Sequence, residues 1–310
     1  SLHPVDAKTF DKQIRLEAFH WLSQQVAVHG DVLPRQILAQ GFDHDNVRVP
    51  LIGPQGIFKP KILPEIPLSI TTAPRGPYDD GIEGKGVLHY RYRGTDSSHR
   101  DNVGLRKAMT TKTPLVYFFG IVPGKYMAAW PVFVIGDSPR ELTFTVAVDD
   151  MAYMDAAHSQ GYDVVAEPEA EARRSYITAS IRQRLHQRSF RERVLRAYRE
   201  SCALCRLRHQ ELLDAAHIIP DAEEEGVPEV RNGIALCKLH HAAFDRFLLG
   251  IRPDYVIEIP PAILREKDGP LLLHGLQGLN LQKMVLPRSH KDYPDVALLE
   301  KRYVRYRQSL

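Results

Sequence analysis

The sequence predicts an α+β protein of 310 residues with two domains, and three observations support this prediction. Between residues 47 and 148 the chain consists of short apolar runs separated by glycine and proline, which indicates a mainly β domain, curved or barrel-like. Apolar residues recur at helical spacing over residues 9–28 and 169–200. All three cysteines follow the second of these helices. We therefore place a first domain at residues 1–165, a helical linker at 166–200 and a second domain at 201–310.

The composition is that of a globular chain, with 44% hydrophobic and 25% charged residues. The net charge of +3 does not by itself indicate a polyanionic partner. Evidence for nucleic-acid binding must therefore come from where the basic residues cluster. No apolar run approaches the roughly 20 residues that a membrane span needs, and the first residues lack the features of a signal peptide. We therefore expect no membrane association and a cytoplasmic location. Cysteines confined to one cluster agree with a reducing compartment.

Shorter patterns refine this outline. A second helix is predicted at residues 34–39, and a helix at residues 101–109 interrupts the β domain. After the cysteine-containing segment, residues 251–264 predict a pair of strands, and the basic, amphipathic segment LEKRYVRYRQ predicts a closing helix. Neither a P-loop nor a G-x-G-x-x-G motif is present, so we expect no nucleotide cofactor.

The cysteines lie in two pairs of metal-ligand spacing. Cys202 and Cys205 form C-x2-C, and Cys237 with His240 forms C-x2-H. A tetrahedral zinc site needs two such pairs, each on a tight turn that directs both side chains to one ion. Four protein ligands leave no position for water, so we expect a structural Zn²⁺ rather than a catalytic one.

A second group of side chains is interleaved with these pairs: His217 in LLDAAHIIP, Asn232 in NGIAL and His241 in LHHAAFD. Their order and spacing resemble the HNH, or ββα-metal, nuclease family. The resemblance implies that His217 lies on a strand and activates water as general base, that Asn232 braces the turn holding this base, and that His241 on the helix binds a catalytic divalent cation. His241 fits this role better than His240 because its distance from Asn232 agrees and His240 completes the zinc set.

This chemistry is physically consistent. Phosphodiester hydrolysis needs an in-line water, a base with a pKa near neutral and a cation that absorbs charge on the phosphate. Many members of the family carry an acid just before the general base, whereas this chain has Ala216. Asp245 follows His241 by four residues and shares its helix face, so we expect His241 and Asp245 to bind Mg²⁺ or Mn²⁺. Asp214 is a further candidate ligand.

Residues 77–109, PYDDGIEGKGVLHYRYRGTDSSHRDNVGLRKAM, resemble the SRA (YDG) family, whose members bind modified cytosine by flipping the base into a pocket. The resemblance implies that Tyr78 and Tyr92 stack on the flipped ring and that Asp80 accepts a hydrogen bond from the cytosine amino group. The chain departs from the family at Arg93, which replaces a small hydroxyl residue. The alternative is that YDDG forms a turn and that the tyrosines are cross-strand pairs.

The linker helix is rich in arginine beside the nuclease-like segment. Arg184, Arg188 and Arg191 are expected to contact DNA phosphates, which supply affinity that does not depend on sequence. The alternative is a solvated charged face on a connecting helix.

Together the resemblances predict a modification-dependent restriction endonuclease. The SRA-like domain would recognise 5-methyl- or 5-hydroxymethylcytosine in double-stranded DNA, and the HNH domain would cut nearby. One HNH site cuts one strand, so double-strand cleavage predicts a homodimer or two binding events. Two alternatives stay open. One is an HNH nicking or repair nuclease without modified-base specificity, and the other is a non-catalytic, zinc-containing DNA-binding protein.

Overall fold

The computed structural model describes residues 6–74, 87–150, 168–267 and 269–310. The chain divides into two compact units, Ser1–Leu185 and His186–Leu310. The first unit contains α1 (Ala7–His29), β1 (Val32–Pro34), α2 (Arg35–Gln40), β2 (Phe42–His44), β3 (Val47–Val49), β4 (Ile57–Phe58), β5 (Ser69–Thr72), β6 (Leu88–Arg91), α3 (Arg100–Thr111), β7 (Leu115–Val122), β8 (Lys125–Ser138) and β9 (Thr143–Val148). Helix α4 (Pro168–Ala197) continues into the second unit.

The second unit adds short helices and hairpins. It contains the 3₁₀ turns η1 (Gln210–Leu212), η2 (Val230–Asn232), η3 (Gln277–Leu279) and η4 (His290–Asp292), the strands β10 (Leu213–His217), β11 (Gly233–Cys237), β12 (Gly250–Ile251) and β13 (Ile257–Glu258), and the helices α5 (Lys238–Asp245), α6 (Pro261–Leu264), α7 (Pro270–Gly275) and α8 (Val296–Gln308). In the described ranges no helix is long and apolar enough to cross a bilayer.

The first unit is built on a curled, half-barrel sheet. Its described strands run in the order β4-β5-β7-β8-β9-β6, with β1 paired to β8. Strands β5 and β7 are parallel, and the other neighbours are antiparallel. The predicted α+β class and the mainly β first domain are therefore confirmed.

Strand β7 shows why this sheet is buried on both faces. Val116 and Phe118 pack in one apolar core with α1, whereas Leu115, Tyr117 and Phe119 pack in a second core. Successive side chains of a strand point to opposite faces, so an unbroken apolar run such as LVYFFGIV serves two cores at once.

The helices predicted for the first unit are confirmed with small changes in their ends. The predicted helix 9–28 is α1, and the predicted helix 101–109 is α3. Gly30 ends α1 with a φ of 82°, a conformation that glycine adopts without a steric penalty. Helix α3 begins after His99, whose side chain accepts a hydrogen bond from the backbone of Asp101.

The predicted linker helix, α4, contributes side chains to hydrophobic cores. Ile181 belongs to a core of the first unit, and Phe190 and Val194 belong to the core of the second. The strand pair predicted at residues 251–264 is present as β12 and β13, but the end of that segment is wrong: it forms α6, with proline at its first position. The predicted closing helix is α8.

Candidate metal centre and active site

The site is built on the hairpin of β10 and β11 followed at once by α5. The two strands are antiparallel, with His217 opposite Gly233 and Leu213 opposite Cys237. Helix α5 begins directly after Cys237 and contacts both strands of the hairpin. This short ββα unit carries the candidate catalytic and metal-binding residues Asp214, His217, Asn232, Cys237, His240, His241 and Asp245.

The structure brings together Cys202, Cys205, Cys237 and His240. One ligand atom from each lies within 4.8 Å of the others. The Nδ1 atom of His240 is 3.2 Å from the Cys237 sulfur and 3.5 Å from the Cys202 sulfur. The cysteines are free thiols. Three thiols and one imidazole are a donor set that suits zinc, so the residues present fit a structural ion.

The far side of the His240 ring is fixed by the backbone. Its Nε2 lies 2.7 Å from the carbonyl oxygen of Gly275, which ends helix α7. Nε2 therefore donates its hydrogen to this carbonyl, which leaves Nδ1 facing the thiols. A residue 35 positions further along the chain thus orients one ligand of the cluster.

The cluster also shifts the acidity of its own members. Hydrogen bonds from Cys205 and Cys237 hold the pKa of Cys202 well below its ordinary value, and the contact with His240 lowers it further. Burial lowers the pKa of His240, but its contacts with Cys202 and Cys237 outweigh burial and raise the pKa to about 10. A proton and a metal ion therefore compete for the same four donors, and metal binding releases protons.

His217 closes strand β10 and has an unpartnered ring nitrogen. Its Nε2 is buried and has no hydrogen-bond partner among the described residues. Its ring stacks on Phe190, with centroids 4.0 Å apart and planes 16° from parallel. Burial lowers the pKa of His217, the carboxylate of Asp221 opposes this shift and nearby His241 adds to it. The ring is therefore neutral near pH 7 and can accept a proton.

Asn232 ties together the two ends of the segment between β10 and β11. Its side chain accepts a hydrogen bond from the Ile219 amide at 2.9 Å and donates to the carbonyls of Ile219 and Val227. The Ile218 amide donates to the Asn232 carbonyl at 2.9 Å. Asn232 is 2% exposed, so these contacts are shielded from water. They fix the backbone that immediately follows His217.

His241 lies between two carboxylates. Its Nδ1 is 3.4 Å from an oxygen of Asp214 on β10, and its Nε2 is 3.3 Å from an oxygen of Asp245 on α5. The charges of His241, Asp245 and Asp221 all act on His217. This second group is more exposed than the cysteine cluster, with half of the Asp245 side chain accessible to water. Imidazole and carboxylate donors fit a hard divalent cation.

Two cations border these carboxylates. The Lys238 ammonium is 3.9 Å from Asp214, and the Arg302 guanidinium is 3.9 Å from Asp245. Arg302 is buried, lies over the Phe244 ring and donates to the Phe244 carbonyl at 2.8 Å. Helix α8 therefore supports the end of α5 that carries Asp245.

Sequence reasoning missed several supporting residues of this site. Phe190 covers His217, Gly275 orients His240, and Arg302 borders the carboxylates. An aromatic residue within the arginine-rich helix was a usable signal for Phe190. No local signal marks Gly275, because only its backbone takes part.

The residues predicted to form a base pocket are only partly described. Tyr78 and Asp80 lie outside the described residues. Tyr92 is 6% exposed, stacks on Phe144 at 4.5 Å and hydrogen-bonds through its hydroxyl to Asp137. Tyr92 therefore packs against Phe144 in a core of the first unit, and its predicted contact with a flipped base stays a prediction.

The predicted phosphate contacts have separate environments. Arg184 lies 3.5 Å from a carboxylate oxygen of Asp31 in the first unit. Arg188 is exposed. Arg191 donates to the backbone carbonyl of Leu213 at 2.8 Å, so it anchors the start of β10. The phosphate contacts predicted for these three arginines stay predictions.

Residues 202–252 match the family model described as HNH endonuclease. The second unit therefore carries a metal-dependent DNA endonuclease domain. The matched range includes both sets of ligand residues and ends before Gly275 and Arg302.

Two solved structures are also similar to the chain. One is the modification-dependent TagI restriction endonuclease, with 16% identity, 79% of this chain and 82% of that chain covered, and a TM-score of 0.28. The other is the type IV phosphorothioation-dependent restriction endonuclease ScoMcrA, with 14% identity, 56% of this chain and 49% of that chain covered, and a TM-score of 0.21. TM-scores this low do not establish a shared fold. No curated protein matches the chain.

Proposed function

We propose that this chain is a modification-dependent restriction endonuclease. Its second unit hydrolyses a DNA phosphodiester, and its first unit selects DNA that carries 5-methyl- or 5-hydroxymethylcytosine. The observation that carries the nuclease half is the buried, unpartnered Nε2 of His217 beside the carboxylate-flanked His241 on an HNH-matching ββα unit.

In this proposal His217 is the general base. Its lowered pKa keeps the imidazole neutral, so the ring takes a proton from the attacking water. Phe190 limits the ring to one orientation, and Asn232 fixes the backbone behind it. His241 and Asp245, with Asp214 as the further candidate, hold Mg²⁺ or Mn²⁺. When bound, that cation stabilises negative charge on the phosphate and on the leaving oxygen.

The cysteine cluster has a different task. Cys202, Cys205, Cys237 and His240 bind one structural Zn²⁺, which fastens the segment before β10 to the start of α5. All four donors belong to the protein, so the ion has no open position for substrate.

The reader half rests on the resemblance of residues 77–109 to the SRA family. Tyr78 stacks on the flipped cytosine, and Asp80 accepts from its amino group. Tyr92, which stacks on Phe144, is the second aromatic residue that the resemblance assigns to the flipped base. Double-stranded DNA is the substrate, and a homodimer supplies one cut for each strand.

A nuclease without modified-base specificity is the second candidate, and the packed position of Tyr92 favours it. The two candidates differ in one measurable property, the ratio of cleavage rates on modified and plain DNA.

The test uses matched plasmids that contain cytosine, 5-methylcytosine or 5-hydroxymethylcytosine, each with Mg²⁺, with Mn²⁺ and after chelation. We expect cleavage of a modified plasmid alone, loss of cleavage on chelation and recovery when Mg²⁺ is added back. Equal cleavage of all three plasmids would support the second candidate and remove the reader. No cleavage of any plasmid would contradict the proposed function.

The variant Asp80→Ala separates the two halves further. We expect it to lower cleavage of modified DNA towards the rate on plain DNA, while the metal requirement stays unchanged. An unchanged preference for modified DNA would exclude Asp80 from base recognition.

A further inference from the structure

The second unit contains a cavity of about 570 Å³ that shares no lining residue with the two candidate metal sites. Its lining residues are Arg193, Arg196, Ala197, Arg199, Val230, Arg288, Ser289 and Asp292. We call it the arginine pocket. A volume of this size is within the range of ligand sites, which is about 300 to 1,000 Å³.

The charge of the arginine pocket selects an anion. Its lining holds four guanidinium groups against one carboxylate, that of Asp292. Arg196, Arg199 and Arg288 are exposed, and in the described part of the chain none of the three forms an ion pair. Guanidinium groups match phosphate oxygens in charge and in hydrogen-bond geometry.

The lining also indicates which part of a nucleic acid would enter. None of the eight lining residues is aromatic. Sites that hold an unpaired base stack it on an aromatic side chain, whereas sites that hold the backbone use arginine and lysine. The arginine pocket therefore has the chemistry of a backbone site rather than a base site.

Hydrogen bonds hold two backbone segments that border the pocket. Arg193 donates to the carbonyls of Ser189 and Pro228, so it holds its own helix against the neighbouring segment. The segment that carries Arg288 is anchored after it, where the Asp295 amide donates to the Arg231 carbonyl at 2.9 Å and the two side chains form an ion pair at 3.0 Å. Preformed walls reduce the entropy lost on binding.

The pocket lies beside the elements that hold the candidate base. Ala197 follows Phe190 by two turns of α4, a rise of about 10 Å, and Phe190 stacks on His217. Val230 on the opposite wall precedes Asn232 by two residues.

We propose that the arginine pocket binds backbone phosphates of the DNA strand close to the phosphodiester that is cut. This inference rests on the proposed cleavage of DNA at His217. It assigns a substrate-positioning role to Arg196, Arg199 and Arg288. Arg196 and Arg199 precede the range that the HNH family model matches, and Arg288 follows it.

The test measures DNA binding separately from cleavage. The full chain carrying His217→Ala binds a labelled duplex in a titration at salt concentrations from about 50 to 200 mM. The pocket variant adds Arg196→Gln, Arg199→Gln and Arg288→Gln to this chain. It should bind DNA more weakly, and the slope of log K against log salt concentration should fall in magnitude by about three. If the triple variant unfolds, Arg288→Gln alone should change the slope by about one.

The matched control removes three other exposed cations of the same unit, through Arg265→Gln, Lys267→Gln and Lys283→Gln. We expect a smaller change in slope than for the pocket variant. Asp292→Asn removes the one acid of the lining and should strengthen DNA binding. An unchanged slope in the pocket variant, or an equal change in the control, would overturn the inference.

Two further measurements separate the possible failures. The first measures the binding of inorganic phosphate to the wild-type chain. If phosphate binds but the salt dependence of DNA binding is unchanged in the pocket variant, the pocket is a small-anion site and does not bind DNA. Cleavage of plasmid DNA by the wild-type chain tests the proposed function independently. Its absence would contradict that function, whereas a changed slope reports on the pocket alone.

Discussion

Two neighbouring histidines on α5 have opposite surroundings. His240 is 1% exposed, with Nδ1 among three thiols and Nε2 on the Gly275 carbonyl. The side chain of His241 is 27% exposed and lies between the carboxylates of Asp214 and Asp245. Adjacent residues of a helix project about 100° apart, so one step along the chain separates the two environments.

The difference shows that this ββα unit places its structural and its catalytic metal ligands in separate groups. The cysteine cluster offers soft donors that all come from the protein, which suits an ion that never meets substrate. The group around His241 offers hard donors and access to water, which a hydrolytic site requires. The following predictions test this separation, from the largest expected effect to the smallest.

Replacing one thiol should remove the structural ion and the fold of the second unit. Structural zinc sites contribute about 10 to 16 kcal/mol, which matches or exceeds the stability of a typical domain. We expect Cys202→Ser to lose bound zinc, become sensitive to protease and lose cleavage. Metal analysis should find one zinc per wild-type chain, and His209→Ala, at an exposed nearby histidine, should retain it. A zinc-free Cys202→Ser variant with wild-type thermal stability would contradict the structural role.

Removing the general base should stop the chemistry without affecting the ion. We expect His217→Ala to lower the cleavage rate by about 10² to 10⁴, because no other group replaces its proton transfer. Zinc content and DNA affinity should stay unchanged. A loss of thermal stability as large as that of Cys202→Ser would instead make His217 a structural residue.

Neutralising the carboxylates beside His241 should weaken the catalytic cation. We expect Asp245→Asn to raise the Mg²⁺ or Mn²⁺ concentration for half-maximal cleavage by about 10- to 100-fold. Asp214→Asn tests the carboxylate on the other side of the His241 ring in the same way. The double variant Asp214→Asn/Asp245→Asn should lose cleavage. Cation titrations that are unchanged in both single variants would exclude these carboxylates as ligands.

The smallest effect concerns the pH dependence of cleavage. Because burial lowers the pKa of His217 from its ordinary 6.5, the neutral base persists as the pH falls below that value. The acid limb of the rate profile should therefore lie below pH 6.5. Phe190→Leu opens the ring to water, so it should move this limb upwards while zinc content stays constant. A limb unaffected by Phe190→Leu would mean that Phe190 does not control the acidity of the base.

The parts of the site that depend on local spacing could be identified from the sequence. The C-x2-C and C-x2-H pairs place four donors by short turns, so the cluster of Cys202 with His240 could be predicted from the spacing of its members alone. Helices α1 and α3 followed from periodicity in the same way.

The contacts that sequence could not supply join residues far apart in the chain. Phe190 meets His217 across 27 positions, and Gly275 meets His240 across 35. Tyr92 has the residue type of a base-stacking side chain, and its stacking on Phe144, 52 positions away, could not be read from the sequence. Residue type limits what a side chain can do, and the neighbours provided by the fold decide among those possibilities.

The most direct measurement compares His240→Ala with His241→Ala in one preparation, for zinc content and for cleavage. We predict that His241→Ala keeps one zinc per chain and its thermal stability while cleavage is lost. His240→Ala should lose the zinc and the folded second unit together. Loss of zinc from His241→Ala, with zinc and cleavage retained in His240→Ala, would exchange the two roles and contradict the account.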